Sequence, residues 1–131
     1  MNYLLDTHTF MWFVTDAPEL SKKARNLMEQ DDANLFLSIA SVWEMAIKNS
    51  LGKLEIYNNF STVTQDLTDN DIELLPIKYE HTAIINRIPF HHKDPFDRMI
   101  IAQALFENMD VIGVDERFDE YFKETGIKKI W

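Results

Sequence analysis

Four acids in this chain, Asp6, Glu44, Asp97 and Asp115, each stand beside an apolar run. Asp6 ends NYLL and Asp115 ends VIGV. Glu44 lies in the opening turns of ASVWEMAIKNSL, just past LFLSI, and Asp97 is the third helical residue after Asp94-Pro95. If the apolar runs are parallel strands, Asp6, Glu44 and Asp115 meet at the carboxyl edge of the sheet, where such folds collect their ligands. Asp97 joins them if its helix begins at that edge. Acids crowded in this way repel, so they either take up protons or share a hard cation through oxygen. The chain has no cysteine, and an all-carboxylate, sulfur-free set fits Mg²⁺, with Mn²⁺ as the second choice.

Each acid also has an ordinary reading. Asp6, Asp94, Asp97 and Asp115 all stand at expected helix N-termini, where Asp is favoured for capping alone. Ser41-Val42-Trp43-Glu44 matches a capping box, in which Glu44 reaches back to its own N-cap. The helical faces weigh against capping as the whole account. Asp97 shares its side with Ile100, Ile101 and Ala104, and Glu44 with Ala40, Ile47 and Leu51, so both carboxylates are expected to face inward. An inward carboxylate is expensive to desolvate unless something cationic meets it. Asp94 is assigned to capping only.

Basic residues surround these positions. His92, Lys93 and Arg98, with His91, form an expected phosphate-facing patch, which Lys48 and Lys53 extend. Adjacent histidines do not face one another on a regular element, which weighs against joint metal ligation. Thr7 and Ser38, beside the strand ends, can bridge an acid or a water, or simply cap. Trp12, Trp43 and Met45 are either core or an apolar surface for a partner.

The elements that must position these groups follow from periodicity and punctuation. Strands are expected at 2–5, 35–39, 72–77, 111–114 and 127–131. Helices are expected from Thr9 to Val14, from Leu20 to Gln30 with Ser21 as N-cap, from Ala40 to Leu51 closed by Gly52, and over 60–69. Further helices are expected from Tyr79 to Ile88, from Asp94-Pro95 to about Asn108, and from Glu116 to Glu124. Short apolar strands alternating with helices predict an α/β fold with a mainly parallel central sheet between two helical layers. At 131 residues, without repeats, low-complexity tracts or linkers, the chain reads as one domain over 1–131.

Hydrophobic content of 46% and charged content of 27% are those of a globular protein. The N-terminus carries no basic stretch followed by a long apolar run, so no signal peptide is expected, nor a membrane span, and a reducing cytoplasm is the expected compartment. Thirteen Lys and Arg against twenty-two Asp and Glu give a net charge of −9. That balance excludes holding nucleic acid by bulk electrostatics, and leaves a local basic patch, a bound cation, or both. It also favours a basic partner.

Taken in order, LLDTHTFMW, SIASVWEMAIK, LPIKYEHTAIINRIPFHHKDPFDRMIIAQAL and VIGVDERFDEY resemble the PIN-domain nucleases. The resemblance spans nearly the whole chain and is strongest toward the toxins of VapBC-type toxin–antitoxin pairs. It implies a three-layer α/β/α sandwich and a Mg²⁺- or Mn²⁺-dependent endoribonuclease. It further implies homodimerisation and inhibition by a small VapB-type antitoxin whose basic tail enters the site. Asp6, Glu44 and Asp97 match the family's three principal acids, Asp115 the fourth, and Thr7 the polar residue following the first. The sequence departs from the family at Gly113, where Thr or Ser usually stands. Two rival readings come from other classes. A haloacid-dehalogenase-like phosphatase needs a second Asp two residues after the first, and His8 stands there. A catalytically silent module would use the same acids to engage a basic peptide.

Overall fold

The computed structural model describes residues 1–54, 57 and 59–131. Strand β1 (Asn2–Leu5) lies at the middle of the sheet, and side-chain alternation puts its residues into both cores. Tyr3 and Leu5 pack on one face with Phe10, Leu37, Met45 and Ile112, while Leu4 packs on the other with Ile100, Ile101, Ala104 and Val111. A strand buried on both sides is the signature of a covered parallel sheet. Strands β2 (Asn34–Ser38), β3 (Ile72–Leu75), β4 (Asp110–Ile112) and β5 (Lys129–Ile130) complete it, in the order β3-β2-β1-β4-β5. All four pairings are parallel.

Seven α-helices are found among the described residues: α1 (Thr7–Val14), α2 (Lys22–Met28), α3 (Ile39–Ser50), α4 (Val63–Asp69), α5 (Tyr79–Arg87), α6 (Pro95–Glu107) and α7 (Asp119–Phe122). Residues of α1, α2, α3 and α4 fill the core on one face, and those of α6 and α7 fill the other. The result is the three-layer α/β/α sandwich expected from the alternation of elements. From β1 the chain builds outward through β2 and β3, then returns by α5 and α6 to add β4 and β5 on the opposite side. This reversal falls between β1 and β4, and it opens a crevice at their carboxyl ends. Register places Leu5 beside both Leu37 and Ile112, so Asp6, Ser38 and Gly113 follow side by side at that edge.

Several boundaries differ from expectation for local reasons. Ser38, not Ser41, caps α3: the Ser38 hydroxyl accepts from Ala40 N–H at 2.9 Å. The expected helix over 116–124 divides into a 3-10 turn, Glu116–Phe118, and the single turn of α7. Strand β4 stops at Ile112, and Val114 stands half in solvent. Gly52, at φ +68°, closes α3 in the left-handed conformation that glycine adopts without cost.

Candidate metal-binding active site

The crevice is a cleft of about 720 Å³ that contains all four of the acids singled out by the sequence. Its walls also carry Thr7, His8, Trp12, Lys48, Phe90, His91, His92, Lys93, Asp94 and Arg117. Capping and site-building turn out to be one arrangement rather than rivals. Asp6 caps α1 through Oδ1, which accepts Thr9 N–H at 2.8 Å, and is itself buried. Asp115 caps the turn at Glu116 by accepting Arg117 N–H at 2.9 Å. Asp94 does what capping alone predicted, accepting the N–H groups of Phe96 and Asp97. Each cap pins its carboxylate at the mouth of an element that begins at the sheet's carboxyl edge.

Glu44 does not form the capping box. Its Oε1 lies 2.7 Å from Thr7 Oγ1 and its Oε2 lies 2.6 Å from Lys48 Nζ. Thr7 Oγ1 is also 2.9 Å from Ser41 Oγ. A hydroxyl has one proton to give, and the carboxylate is the stronger acceptor, so Thr7 donates to Glu44 and accepts from Ser41. Ser41 was missed as a site residue, although Ser41 and Glu44 are three apart and share a helical face. That inward face is narrower than expected: Glu44 is buried, yet Ile47 and Leu51 on the same side are exposed.

His92 departs most from its expected place. Rather than facing phosphate with its neighbours, its ring is buried between two acids. Nε2 stands 2.8 Å from Asp97 Oδ2 and 3.1 Å from Asp115 Oδ2. Arg98 is not in the cleft at all. It is 4% exposed, and its guanidinium donates to the carbonyls of Ile85, Ile88, Pro89 and His92 and to the Tyr121 hydroxyl. With both terminal nitrogens bonded to the chain and the side chain outside the cleft, Arg98 is not placed to meet phosphate there, which corrects its assignment to the basic patch. Lys48 and Lys93 do line the cleft, whereas Lys53 does not. Arg117, absent from the expected set, joins them and binds Asp115 through Nη2 at 2.8 Å. The Asp115-x-Arg117 spacing was its only sequence signal. Met45 is core, while Trp43 is exposed and meets Phe96 edge to face.

The electrostatics of the cleft follow from its excess of acids. Five acids, Asp6, Glu44, Asp94, Asp97 and Asp115, face three fixed cations, Lys48, Lys93 and Arg117. Burial pushes the Asp6 carboxyl above its ordinary value, although the Thr9 hydrogen bonds pull the other way. Burial, and then the charges of Asp94, Glu44, Asp6 and Asp115, push Asp97 up to about 7. Asp115 behaves differently: burial raises it, but the hydrogen bonds and charge of Arg117 outweigh this and hold it below the usual range. Oxygen donors short of positive charge suit a hard divalent cation, and among the described residues Asp97 and Asp115, with His92, bring ligand atoms within 4.8 Å of one another, a group that could hold one.

Gly113 shows why the position carries no side chain. A Cβ built there would lie 2.5 Å from Asp6 Oδ2. Gly113→Ala is therefore expected to displace the Asp6 carboxylate and weaken Mn²⁺ binding in a calorimetric titration. Overpacking should also cost about 1–3 kcal/mol, read as a lower melting temperature.

The family profile of the PIN domain matches residues 3–123. The chain belongs to the PIN-domain family. None of the curated proteins compared with this PIN domain matches its sequence. Among solved structures, it is similar to a chain of VapBC2 from Rickettsia felis, bound to a DNA fragment from its promoter, at TM-score 0.72 and 14% identity. That match covers 100% of this chain and 99% of the other. It is also similar to a chain of VapBC-1 from nontypeable Haemophilus influenzae, at TM-score 0.64 and 16% identity, over 100% and 98% of the two chains. At these identities the likeness speaks for the PIN domain's fold. No helix among its described residues is long and apolar enough to cross a membrane.

Proposed function

We propose that this PIN domain is a divalent-metal-dependent endoribonuclease that acts as the toxin of a toxin–antitoxin pair. The observation that carries the reading is the cleft itself, in which Asp6, Glu44, Asp97 and Asp115 line one crevice, with burial and then the acids beside it pushing Asp97 up to about 7. A cleft built around such a group calls for a cation before it can admit a phosphate. Asp6, Glu44, Asp97 and Asp115 would hold Mg²⁺ or Mn²⁺, which supplies a more acidic water and stabilises charge on the phosphoryl and leaving oxygens.

The chain's own residues then divide the remaining work. Thr7 and Lys48 hold the two oxygens of Glu44 from opposite sides and fix its orientation. Lys48, Lys93 and Arg117 stand along the cleft wall, where their charges would seat the RNA backbone on either side of the scissile phosphate. With a net charge of −9 the rest of the surface repels RNA, so binding relies on this local patch and falls steeply with salt. The same charge balance suits a small VapB-type antitoxin with a basic tail. The two solved structures described above are VapBC assemblies, which supports such a partner; a homodimer belongs to the same reading. The cysteine-free composition agrees with work in the cytoplasm.

The test is RNA cleavage by chain stripped of any co-purified partner, with Mg²⁺, with Mn²⁺ and with chelator. Cleavage is expected with either ion and none with chelator. A chain that cuts nothing under any condition, yet binds a basic peptide in its cleft, would instead be the silent module.

A further inference from the structure

We propose that His92 is a positioning residue, whose Nε2–H clasps Asp97 and Asp115 together so that they present a fixed pair to one cation. The inference rests on the metal-holding part of the function proposed above. Gly113 supplies no orienting group, and a Cβ there would first have to displace the Asp6 carboxylate. Arg117 holds Asp115 from its exposed side through its N–H and guanidinium; on the side facing Asp97, Asp115 Oδ2 meets His92 Nε2.

The hydrogen bonds of the imidazole decide which role it takes. Nδ1 faces the N–H of Asp94 at 3.3 Å, so Nδ1 is an acceptor. A neutral imidazole has one N–H, which therefore sits on Nε2. Nε2 lies within 2.8 Å of Asp97 Oδ2 and 3.1 Å of Asp115 Oδ2, and both are acceptors. A histidine that ligates metal through Nε2 must offer a lone pair there and donate from Nδ1. Here Nδ1 meets a donor, so the ring is set to give a proton to the ligands rather than an electron pair to the ion.

The ring is also held firmly. His92 is 2% exposed, its N–H donates to the Tyr121 hydroxyl at 2.9 Å, and its carbonyl accepts from Arg98 Nη1. Phe118 packs edge-on against it, with ring centroids 6.0 Å apart. A donor fixed in this way removes freedom from two carboxylates that would otherwise swing apart under their mutual repulsion.

The experiment compares Mn²⁺ binding by calorimetry for the parent chain, His92→Phe and His92→Gln. Phe keeps the ring volume without a donor, while Gln places an N–H close to Nε2. His92→Phe is expected to weaken Mn²⁺ by about 10–100-fold, the range for loss of an outer partner of a metal ligand. His92→Gln is expected to bind nearly as the parent does. Pulsed electron paramagnetic resonance of the Mn²⁺-loaded parent should show no directly bound nitrogen. Nitrogen coupling from a coordinated imidazole would overturn the proposal and make His92 a ligand, a result that stands even if His92→Phe fails to fold. So would parent-like affinity in His92→Phe, or a Gln variant as weak as the Phe one. If the parent binds Mn²⁺ and cleaves RNA in either case, only this proposal falls; a parent that takes up no Mn²⁺ removes both.

Discussion

Asp97→Asn is expected to abolish metal-dependent RNA cleavage and, at the same time, to stabilise the metal-free protein at neutral pH. The loss of activity should exceed the roughly 10–100-fold attached to outer partners of a metal ligand, because Asp97 itself would touch the ion. The gain in stability follows from the sign of its shift. In the folded chain this carboxyl titrates at about 7, against 3.8 for the free group. Between those values the folded state keeps a proton that the unfolded chain has released, so stability falls as pH rises through that window. Above pH 7 the folded chain carries a charge it resists, at a cost on the order of 4 kcal/mol. Asparagine removes the charge but keeps an acceptor for His92 Nε2–H. In chelator, the parent's melting temperature should therefore decline from pH 5 to pH 8, and that of Asp97→Asn should decline less, keeping only the part that Asp6, also raised by burial, contributes. Added Mn²⁺ should restore the parent at pH 8 and leave the variant where it is. A parallel decline in both proteins would mean that crowding of Asp97 is not what the cleft suffers from.

Arg98→Met is expected to be the most destabilising single change near the site, and to act without touching the ion. The guanidinium is buried, and among the described residues it has no acidic partner within ion-pair distance. What compensates its charge is a ring of oxygens: the carbonyls of Ile85 and Ile88 at the end of α5, those of Pro89 and His92, and the Tyr121 hydroxyl. A cation also suits the negative end of that helix. Phe90 covers the guanidinium, with its ring centroid 4.1 Å away. Removing the donors strands several buried acceptors at once, which should cost about 3–5 kcal/mol, like breaking a buried ion pair. For a domain of this size that is a drop of roughly 10–20 °C in melting temperature. Lysine should rescue little, since one ammonium cannot reach five acceptors arranged around a planar fork. Lys93→Ala, five residues earlier, is expected to do the reverse. It should leave the melting temperature nearly unchanged, weaken RNA binding, and lower the salt dependence by about one charge. If Arg98→Met melted like the parent while losing RNA affinity, the guanidinium would belong to the substrate after all.

The contrast between these two cations shows where sequence reading stops. Lys93 and Arg98 stand close together in HHKDPFDR, and both read as basic residues beside acids. Nothing local separates them. Arg98 is claimed by carbonyls six to thirteen residues earlier and by a hydroxyl twenty-three residues later, all gathered when α5, α6 and α7 pack together. His92 was lost to local reasoning in the same way, since its partner Asp115 lies twenty-three residues away across the return of the chain. The capping box at Ser41 failed for a related reason. The motif fits the letters, but Ser38 already caps the helix, and Thr7, from another element, takes the oxygen of Glu44.

By itself, then, the sequence determined the α/β alternation, the strands buried on both faces and the acids stationed at their ends. Those features depend on periodicity and capping, which act over a few residues. Only the tertiary structure decided which of these acids are crowded, which histidine lies between them, which cation is walled in, and what a side chain at residue 113 would meet. Each of those outcomes turns on a distance of about 3 Å between groups that the fold brings together, and such distances exist only once the sheet has joined β1 to β4 and α5, α6 and α7 have packed beside it.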